Sequence, residues 1–512
     1  MKFNKLLYVS CLVPLMLTSC KKQEQEEVID ERIDSDVIFF NDDSIINTNF
    51  GGLGVEWGTY EDNKKLIPDA KTKITNAVDY LNPCIVRCMF NYDWICSDLN
   101  TYNNDDKNDD TWTYDFSNER MISCCEVLEY CQNNNIDVAF GGWNVIGNAD
   151  PTLDEWGMME DCTSDPRWAT MTADILNYLV NDKGYTCIKW FVNTNEPNWT
   201  GLVGQSKMAH NNFQKWSQGV RNVRNKLDSY GLNSIDIVGG DTTGFGDVAL
   251  EYMEGISTQL KDILHNYGAH FYIDNRSIIT NTFQDYLTQL YTGIKANDSN
   301  LGVTKPFYIW EAGLSTGKNS DTDCNALIRN VSYGTMMADY TVQAVLAGIN
   351  GVCYWDLDDA MHFMYSSNGN TPKEWGMFST LASAPISDQD YRPWFYSSVL
   401  LSNALQRGSK VFKTKVNTEL NTIASVSSDN TDGNIIVVNH GIKSVNAKLL
   451  LQHQVTNTSH VYVYIYNENS LRIDQDAKVE PNIVIDGSIN DILEITIPSS
   501  SLVVISSSRI GG

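Results

Sequence analysis

The sequence predicts an α/β protein in which a (β/α)₈ TIM barrel is followed by an antiparallel β-sandwich. Through most of the chain, short apolar runs rich in β-forming residues alternate with longer amphipathic stretches, which is the pattern of β/α units. From about residue 408 onward, short alternating runs recur with turn residues between them and without helical periodicity. The length of 512 residues provides for one large domain and one smaller domain.

Eight apolar runs are predicted to form the barrel strands, at residues 54–57, 85–90, 136–143, 188–193, 235–240, 268–272, 307–310 and 352–355. They begin roughly 30–55 residues apart, which leaves room for a loop and a helix after each strand. Apolar residues at helical spacing predict helices at residues 120–131, 168–180, 213–227 and 331–347. A doubly wound open sheet is the alternative. It needs a glycine-rich turn after its first strand, whereas the Gly-Gly-Leu-Gly at residues 51–54 precedes a strand.

The C-terminal runs predict short antiparallel strands at residues 410–414, 422–426, 434–438, 447–451, 461–466, 483–485, 492–497 and 502–506. The run at residues 37–40 lies before the barrel, so it is a candidate to pair with this sandwich. We therefore place the barrel at residues 35–407 and the sandwich at residues 408–512.

The first twenty residues have the pattern of a lipoprotein signal peptide. Lys2 and Lys5 precede a mostly apolar run at residues 6–17, which is too short to span a bilayer. The segment ends in Leu-Thr-Ser-Cys, which resembles a bacterial lipobox with Cys20 as the lipidated residue. Residues 21–34 include a charged stretch that predicts a tether. We expect an outer-membrane lipoprotein attached through Cys20, facing either the cell surface or the periplasm.

The composition indicates a folded protein with an acidic surface. An apolar content of 42% and an aromatic content of 11% are enough for a sizeable core. The formal net charge of −27 repels nucleic acid, so no nucleic-acid partner is expected, and it suits a neutral substrate. None of the twelve Cys residues forms a pair of CxxC motifs, so a zinc ribbon is not expected.

Two glutamates follow predicted strands at the positions where barrel enzymes carry their catalytic groups. The fourth run leads into Asn195-Glu196-Pro197, and the seventh leads into Glu311-Ala-Gly. Hydrolysis of a glycosidic bond needs two carboxyl groups, one that holds a proton for the leaving oxygen and one that stays ionised. An amide beside the acid, such as that of Asn195, can bind a sugar hydroxyl.

These motifs resemble clan A of the retaining (β/α)₈ glycoside hydrolases, over roughly residues 50–400. In that clan an Asn-Glu-Pro motif after the fourth strand carries the acid/base, and a Glu after the seventh strand is the nucleophile. The resemblance therefore implies that Glu196 is the acid/base and Glu311 the nucleophile, with no metal or organic cofactor.

The resemblance also implies supporting roles for residues at other strand ends. A guanidinium in the second strand would contact the nucleophile and keep its pKa low. Polar residues at the end of the sixth strand would contact the nucleophile and the substrate, and aromatic residues at the ends of the third and eighth strands would line the sugar site. The residues at these positions are Arg87, His270, Tyr272, Trp143 and Trp355, and the pair Glu56-Trp57 at the end of the first strand is expected to line the same pocket.

A β-sandwich after the barrel is also found in clan A families 30, 39 and 51. The Glu-Ala-Gly after the seventh strand is closer to family 5 patterns than to the Glu-Trp of families 30 and 39, so the family and the sugar are open. We expect a carbohydrate substrate, with neutral β-glycans as the default. The alternative is a non-catalytic surface glycan-binding lipoprotein on a barrel scaffold.

Overall fold

The computed structural model describes residues 37–58, 65–96, 112–142, 166–198, 213–366, 369–416 and 418–511. The signal peptide, Cys20, the tether and Trp143 lie outside the described residues. No helix within the described ranges is long and apolar enough to cross a membrane.

The strands of the described residues are numbered in chain order. They are β1 (Val37–Phe40), β2 (Ile45–Asn47), β3 (Gly52–Glu56), β4 (Ile85–Phe90), β5 (Asp137–Gly142), β6 (Ile188–Val192), β7 (Asp236–Ile237), β8 (Gly240–Thr243), β9 (Tyr267–Ile273), β10 (Phe307–Leu314), β11 (Lys318–Asn319), β12 (Cys324–Asn325), β13 (Gly351–Tyr354), β14 (Phe363–Ser366), β15 (Gly369–Pro372), β16 (Lys410–Lys413), β17 (Asn421–Val426), β18 (Gly433–Asn439), β19 (Val445–Leu451), β20 (His460–Tyr466), β21 (Ile483–Asp486), β22 (Leu493–Ile497) and β23 (Ser501–Ser506).

The α-helices of the same residues are α1 (Ala70–Leu81), α2 (Glu119–Asn133), α3 (Pro166–Asn177), α4 (Phe213–Ser229), α5 (Asp247–Gly255), α6 (Asn275–Ile279), α7 (Thr282–Asn297), α8 (Val331–Leu346), α9 (Ile386–Gln389) and α10 (Pro393–Ala404). The four helices predicted from periodicity correspond to α2, α3, α4 and α8, and α3 continues into a π-helical turn at Tyr178–Asp182.

The large sheet has nine strands in the order β7-β6-β5-β4-β3-β13-β10-β9-β8, and every neighbouring pair is parallel. All eight predicted strands are present in it, and the fifth is split into β7 and β8. These two pieces form opposite edges of the sheet although only Val238 and Gly239 separate them along the chain. The sheet therefore curls until its edges meet at these two residues.

Strand β10 is longer than the run at 307–310 that predicted it. Its register against β9 and β13 shifts at Trp310, between Ile309 and the residues that follow, which is the mark of a bulge. Glu311 therefore lies inside β10 and not in the loop after it. The fully buried sequence of β10 gives no periodic signal for where the strand ends.

Two smaller sheets contain the C-terminal runs. A seven-stranded sheet has the order β2-β16-β17-β18-β23-β20-β21, and a three-stranded sheet has the order β1-β19-β22. Side chains of both sheets form one apolar cluster, with Phe40, Leu449 and Leu493 from one sheet and Val437 and Val503 from the other. The predicted pairing of residues 37–40 is confirmed, because β1 pairs with β19 in parallel.

Candidate active site

Arg87 on β4 is completely buried and joins side chains from several strands of the large sheet. Its Nη1 donates to Glu56 Oε2 at 3.1 Å and to Glu311 Oε1 at 2.8 Å. Its Nη2 donates to Asn195 Oδ1 at 2.7 Å and to Asp241 Oδ2 at 3.0 Å. The contact predicted between Arg87 and Glu311 is therefore present, beside contacts with Glu56, Asn195 and Asp241.

Glu311 receives a hydrogen bond on each carboxylate oxygen. Arg87 binds Oε1, and the Tyr272 hydroxyl donates to Oε2 at 2.8 Å. Burial raises the pKa of Glu311 above its ordinary value, although the charges of His270 and Arg87 act in the opposite direction. The expectation that Arg87 would keep this pKa low is therefore wrong in its net direction, because desolvation of the carboxylate outweighs the two cations.

His270 on β9 lies between three carboxyl groups. Its Nδ1 is 3.0 Å from Glu196 Oε1 and 3.5 Å from Glu311 Oε1, and its Nε2 is 2.8 Å from Asp241 Oδ1. Burial disfavours the charged ring, but the charges of Asp241 and Glu311 prevail and raise the pKa of His270 to about 10. His270 is therefore a buried cation at neutral pH, with an N–H directed at a carboxylate from each nitrogen.

Glu196 and Glu311 lie close together. Their nearest ligand oxygens and a ring nitrogen of His270 are all within 4.8 Å of one another, a spacing that a metal ion could bridge. The protonated ring of His270 has no lone pair to offer a metal, so this set of groups is better suited to proton transfer. Glu196 is the more accessible of the two acids, with 14% of its side chain exposed against 6% for Glu311.

Asp241 is also part of this site. It is buried, and it accepts hydrogen bonds from Arg87 and His270. Burial favours the neutral acid, but the charges of His270 and Arg87 lower the pKa of Asp241 below its ordinary value. Asp241 follows the fifth predicted strand as Glu196 follows the fourth, and that position was the available signal.

The backbone at both strand ends is unusual. Glu196 has φ 47° and Asp241 has φ 51°, in the left-handed region that non-glycine residues rarely adopt. The Glu196 amide donates to the Asp241 carbonyl oxygen at 3.1 Å, which ties the two segments together. With these conformations the Glu196 carboxyl group reaches His270, and the Asp241 carboxyl group reaches both Arg87 and His270.

The pair Glu56-Trp57 divides between two faces of the sheet, because successive side chains along a strand point to opposite sides. Glu56 is completely buried beside Arg87, and burial raises its pKa to about 8 against the effect of Arg87. Trp57 packs edge-on against Tyr130 of α2, with ring centroids 5.2 Å apart. The expectation that Trp57 lines the pocket is therefore wrong.

Trp355 directly follows β13 and is joined to β10, since its amide donates to Ala312 O at 3.1 Å. The His362 ring stacks on it at 4.6 Å with an interplanar angle of 18°. The aromatic floor predicted at Trp355 therefore has at most one ring face left for a ligand. Trp143, the other predicted aromatic wall, lies outside the described residues.

Two further acids near β13 have structural partners. Asp358 accepts from the amide and the hydroxyl of Thr380, and Asp359 accepts from Arg392. Both aspartates are buried, so neither faces solvent.

Trp375 belongs to the site but had no sequence signal, because it follows no predicted strand. Its ring packs edge-on against Tyr272 with centroids 5.4 Å apart, and its Nε1 donates to Asp323 O at 2.9 Å. Trp375 therefore supports the ring whose hydroxyl binds Glu311.

No protein-family profile matches the sequence, and no curated protein matches it significantly. The fold does match solved structures. The family 30 subfamily 8 xylanase Xyn30A from Clostridium acetobutylicum aligns with a TM-score of 0.59 at 11% identity, over 92% of this chain and 99% of that one. The family 30 xylanase C of Talaromyces cellulolyticus aligns with a TM-score of 0.60 at 12% identity, over 92% and 100%.

A family 39 β-xylosidase from Caulobacter crescentus aligns with a TM-score of 0.59 at 13% identity, over 92% of this chain and 99% of that one. At such identities a likeness is one of fold. The chain therefore shares its fold with glycoside hydrolases of families 30 and 39.

Proposed function

We propose that the protein is a retaining glycoside hydrolase that cleaves β-glycosidic bonds of a poly- or oligosaccharide. The observation that carries this proposal is the pair Glu196 and Glu311, with nearest oxygens within 4.8 Å, on the carboxyl side of a parallel sheet. The fold shared with families 30 and 39 supports it. Retaining enzymes place their carboxyl groups about 5–5.5 Å apart, whereas inverting enzymes need about 6.5–9.5 Å to admit a water.

In the first step of the proposed reaction, a Glu311 oxygen attacks the anomeric carbon while Glu196 gives its proton to the departing glycosidic oxygen. The bond to the leaving sugar breaks and a covalent glycosyl-enzyme forms. Arg87 and Tyr272 hold the two oxygens of Glu311 from different sides, so the attacking lone pair has a defined direction.

In the second step Glu196, now ionised, removes a proton from water, and the resulting hydroxide attacks the anomeric carbon. The bond to Glu311 breaks and the sugar leaves with its original configuration. His270 contacts Glu196 at 3.0 Å in the resting site, so its positive charge is placed to stabilise Glu196 when that acid has lost its proton. All of these steps use groups of the chain and water.

We also propose the domain architecture, the cellular location and the substrate class of the protein. The meeting of β7 and β8 at Val238 and Gly239 supports an eight-stranded barrel, and the shared apolar cluster supports a C-terminal sandwich. The signal pattern supports a lipid anchor on Cys20 and an outer-membrane location. A neutral β-glycan is the proposed substrate, because the chain carries a net charge of −27.

Glu311→Gln is expected to lower kcat at least about 10³-fold, because a neutral amide cannot form the covalent intermediate. The measurement is sugar release by the mature protein from a panel of neutral and anionic polysaccharides. Glu126→Gln is the matched control, since Glu126 is exposed and pairs with Lys71 on the outer surface. Wild-type rates in Glu311→Gln would refute the nucleophile assignment.

Glu196→Ala is expected to lose activity on natural glycans but to keep much of it on aryl glycosides with good leaving groups, which need no proton. Added azide should restore its second step and yield a β-glycosyl azide. An α-azide would contradict retention. A wild-type protein that is retarded in glycan affinity gels but releases no sugar would favour the non-catalytic glycan-binding alternative.

A further inference from the structure

Glu56 is a buried carboxyl group that the two-step reaction does not use. It ends β3, has no exposed surface, and accepts from Arg87 Nη1 on Oε2 at 3.1 Å. The same Nη1 donates to Glu311 Oε1 at 2.8 Å. Within the described residues, the second oxygen of Glu56, Oε1, has no hydrogen-bond partner. Glu56 and the proposed nucleophile therefore share one donor nitrogen.

We infer that Glu56 is a positioning residue that acts through Arg87 to hold the guanidinium against Glu311. This inference deepens the proposed function and rests on it. Arg87 reaches Glu311 and Glu56 with Nη1 and reaches Asn195 and Asp241 with Nη2, so a partner is needed on each side to fix the plane of the guanidinium. Glu56 supplies the fixed acceptor on the Nη1 side, because a Glu311 oxygen must form a bond to the anomeric carbon during the reaction.

The charges around Arg87 indicate the protonation state in which Glu56 holds the guanidinium. Arg87 and His270 bring two positive charges into the buried site, and Asp241 and Glu311 bring two negative charges when both are ionised. A third anion at Glu56 would leave the buried cluster with excess negative charge, which is costly in a desolvated site. A protonated Glu56 still accepts from Arg87 through its carbonyl oxygen and leaves the cluster balanced.

The groups that face Glu56 come from every neighbouring strand. Burial raises the pKa of Glu56 to about 8, Arg87 on β4 and His270 on β9 oppose this rise, and Glu311 on β10 adds to it. Asp356, after β13, is also fully buried, and Glu56 contributes to the rise of its pKa above the ordinary value. Cys353 on β13 faces Glu56 as well. At pH 6–7 Glu56 is therefore a neutral acid.

Two substitutions separate this role from a merely structural one. Glu56→Gln keeps a neutral acceptor for Arg87 and should retain kcat at pH 6–7 within about threefold. Glu56→Ala removes the acceptor and should lower kcat about 10- to 100-fold with little change in KM. Glu126→Gln is the control for both. A loss in Glu56→Gln as large as that in Glu311→Gln, with a native circular dichroism spectrum, would overturn the inference, and so would a wild-type kcat in Glu56→Ala.

A second measurement does not depend on catalysis. A carboxyl whose pKa rises from 4.5 to about 8 on folding contributes stability that is complete below pH 4.5 and is lost as the pH rises through about 8. The melting temperature of Glu56→Gln relative to wild type should therefore increase by a few degrees from pH 5 to pH 8.5. If the difference in melting temperature between Glu56→Gln and wild type were the same at both pH values, the inference that Glu56 is neutral would be wrong. A wild type that releases no sugar but shows this shift would refute the proposed function alone.

Discussion

Arg87 is the residue at which the strand ends meet. Glu56, Asn195, Asp241 and Glu311, which accept hydrogen bonds from it, lie on or after β3, β6, β8 and β10, so one guanidinium contacts side chains from four strands of the large sheet. A lysine could not replace it, because an ammonium lacks the planar fork that serves two acceptors on each side. Through Arg87, the orientation of Glu311 therefore depends on several strands of the sheet and not on β10 alone.

Tyr272→Phe removes the hydroxyl that donates to Glu311 Oε2 at 2.8 Å and leaves the ring packed against Trp375. A hydrogen bond to a charged group contributes about 1.5–3 kcal/mol. We therefore expect a decrease in kcat of about 10- to 100-fold with an almost unchanged melting temperature. Steady-state kinetics and differential scanning fluorimetry measure both quantities. Tyr230→Phe, which removes a hydroxyl contact to Asp174 outside the site, is the control and should leave kcat unchanged.

At the scale of elements, the joint between β7 and β8 decides whether the curled sheet can form. A Cβ atom on Gly239 would lie 1.9 Å from the backbone oxygen of Asn266, and a carbonyl of the main chain cannot move aside. The Gly239 carbonyl also accepts from the Gly268 amide at 2.8 Å, which joins this turn to β9. The split fifth strand therefore needs glycine at this position because of a close approach of backbone.

Gly239→Ala is expected to destabilise the protein by about 1–3 kcal/mol or more, because the methyl group forces the β8 edge away from β9. Asp241 lies on β8, so activity should fall with stability. Urea unfolding followed by tryptophan fluorescence measures the change. Gly246→Ala is the matched control, since a Cβ there meets nothing within 4 Å, and equal stability of the two variants would contradict this account.

At the scale of the whole molecule, a buried polar network joins helix α8, which packs beside the large sheet, to the seven-stranded sheet. Asp339 on α8 is fully buried. Its Oδ2 lies 2.9 Å from His440 Nδ1, and its Oδ1 accepts from Asn421 at 2.6 Å and from Gln343 at 3.1 Å. The hydrogen bond to Asp339 raises the pKa of His440. The seven-stranded sheet therefore supplies two of the hydrogen-bond partners of this buried carboxyl group.

Asp339→Ala is expected to destabilise the protein by about 3–5 kcal/mol, because it leaves His440 and Asn421 without their common acceptor. Without these hydrogen bonds, the part of the protein built on the large sheet and the part built on the C-terminal sheets should unfold in two separate calorimetric transitions. Asp321→Ala, at an exposed position, should keep a single wild-type transition. An Asp339→Ala protein that unfolds as the wild type does would show that the network does not couple the layers.

Much of the fold and part of the site followed from local patterns. The eight strands were predicted from apolar runs and the four helices from apolar residues at helical spacing, because burial selects apolar side chains in both; the pairing of β1 was also predicted correctly. The resemblance to clan A implied that Tyr272 and Arg87 lie beside Glu311, and both side chains do contact it. Trp57 was placed on the wrong face of the sheet, because it is one residue beyond Glu56 and successive side chains point to opposite faces. Trp375 was missed because its contact with Tyr272 is long-range and leaves no periodic signal in the sequence.

The sequence by itself determined that Glu196 and Glu311 belong to the fourth and seventh strand units of the large sheet, since apolar runs and the motif around Glu196 are local properties. The tertiary structure decided how those groups are charged. Asp241, Glu311 and Glu56 are all buried acids, yet the pKa of the first lies below its ordinary value and those of the others lie above. The pKa of each acid is set by its desolvation and by the positions of the Arg87 and His270 charges around it. Burial and charge placement both depend on residues that are far apart in the chain.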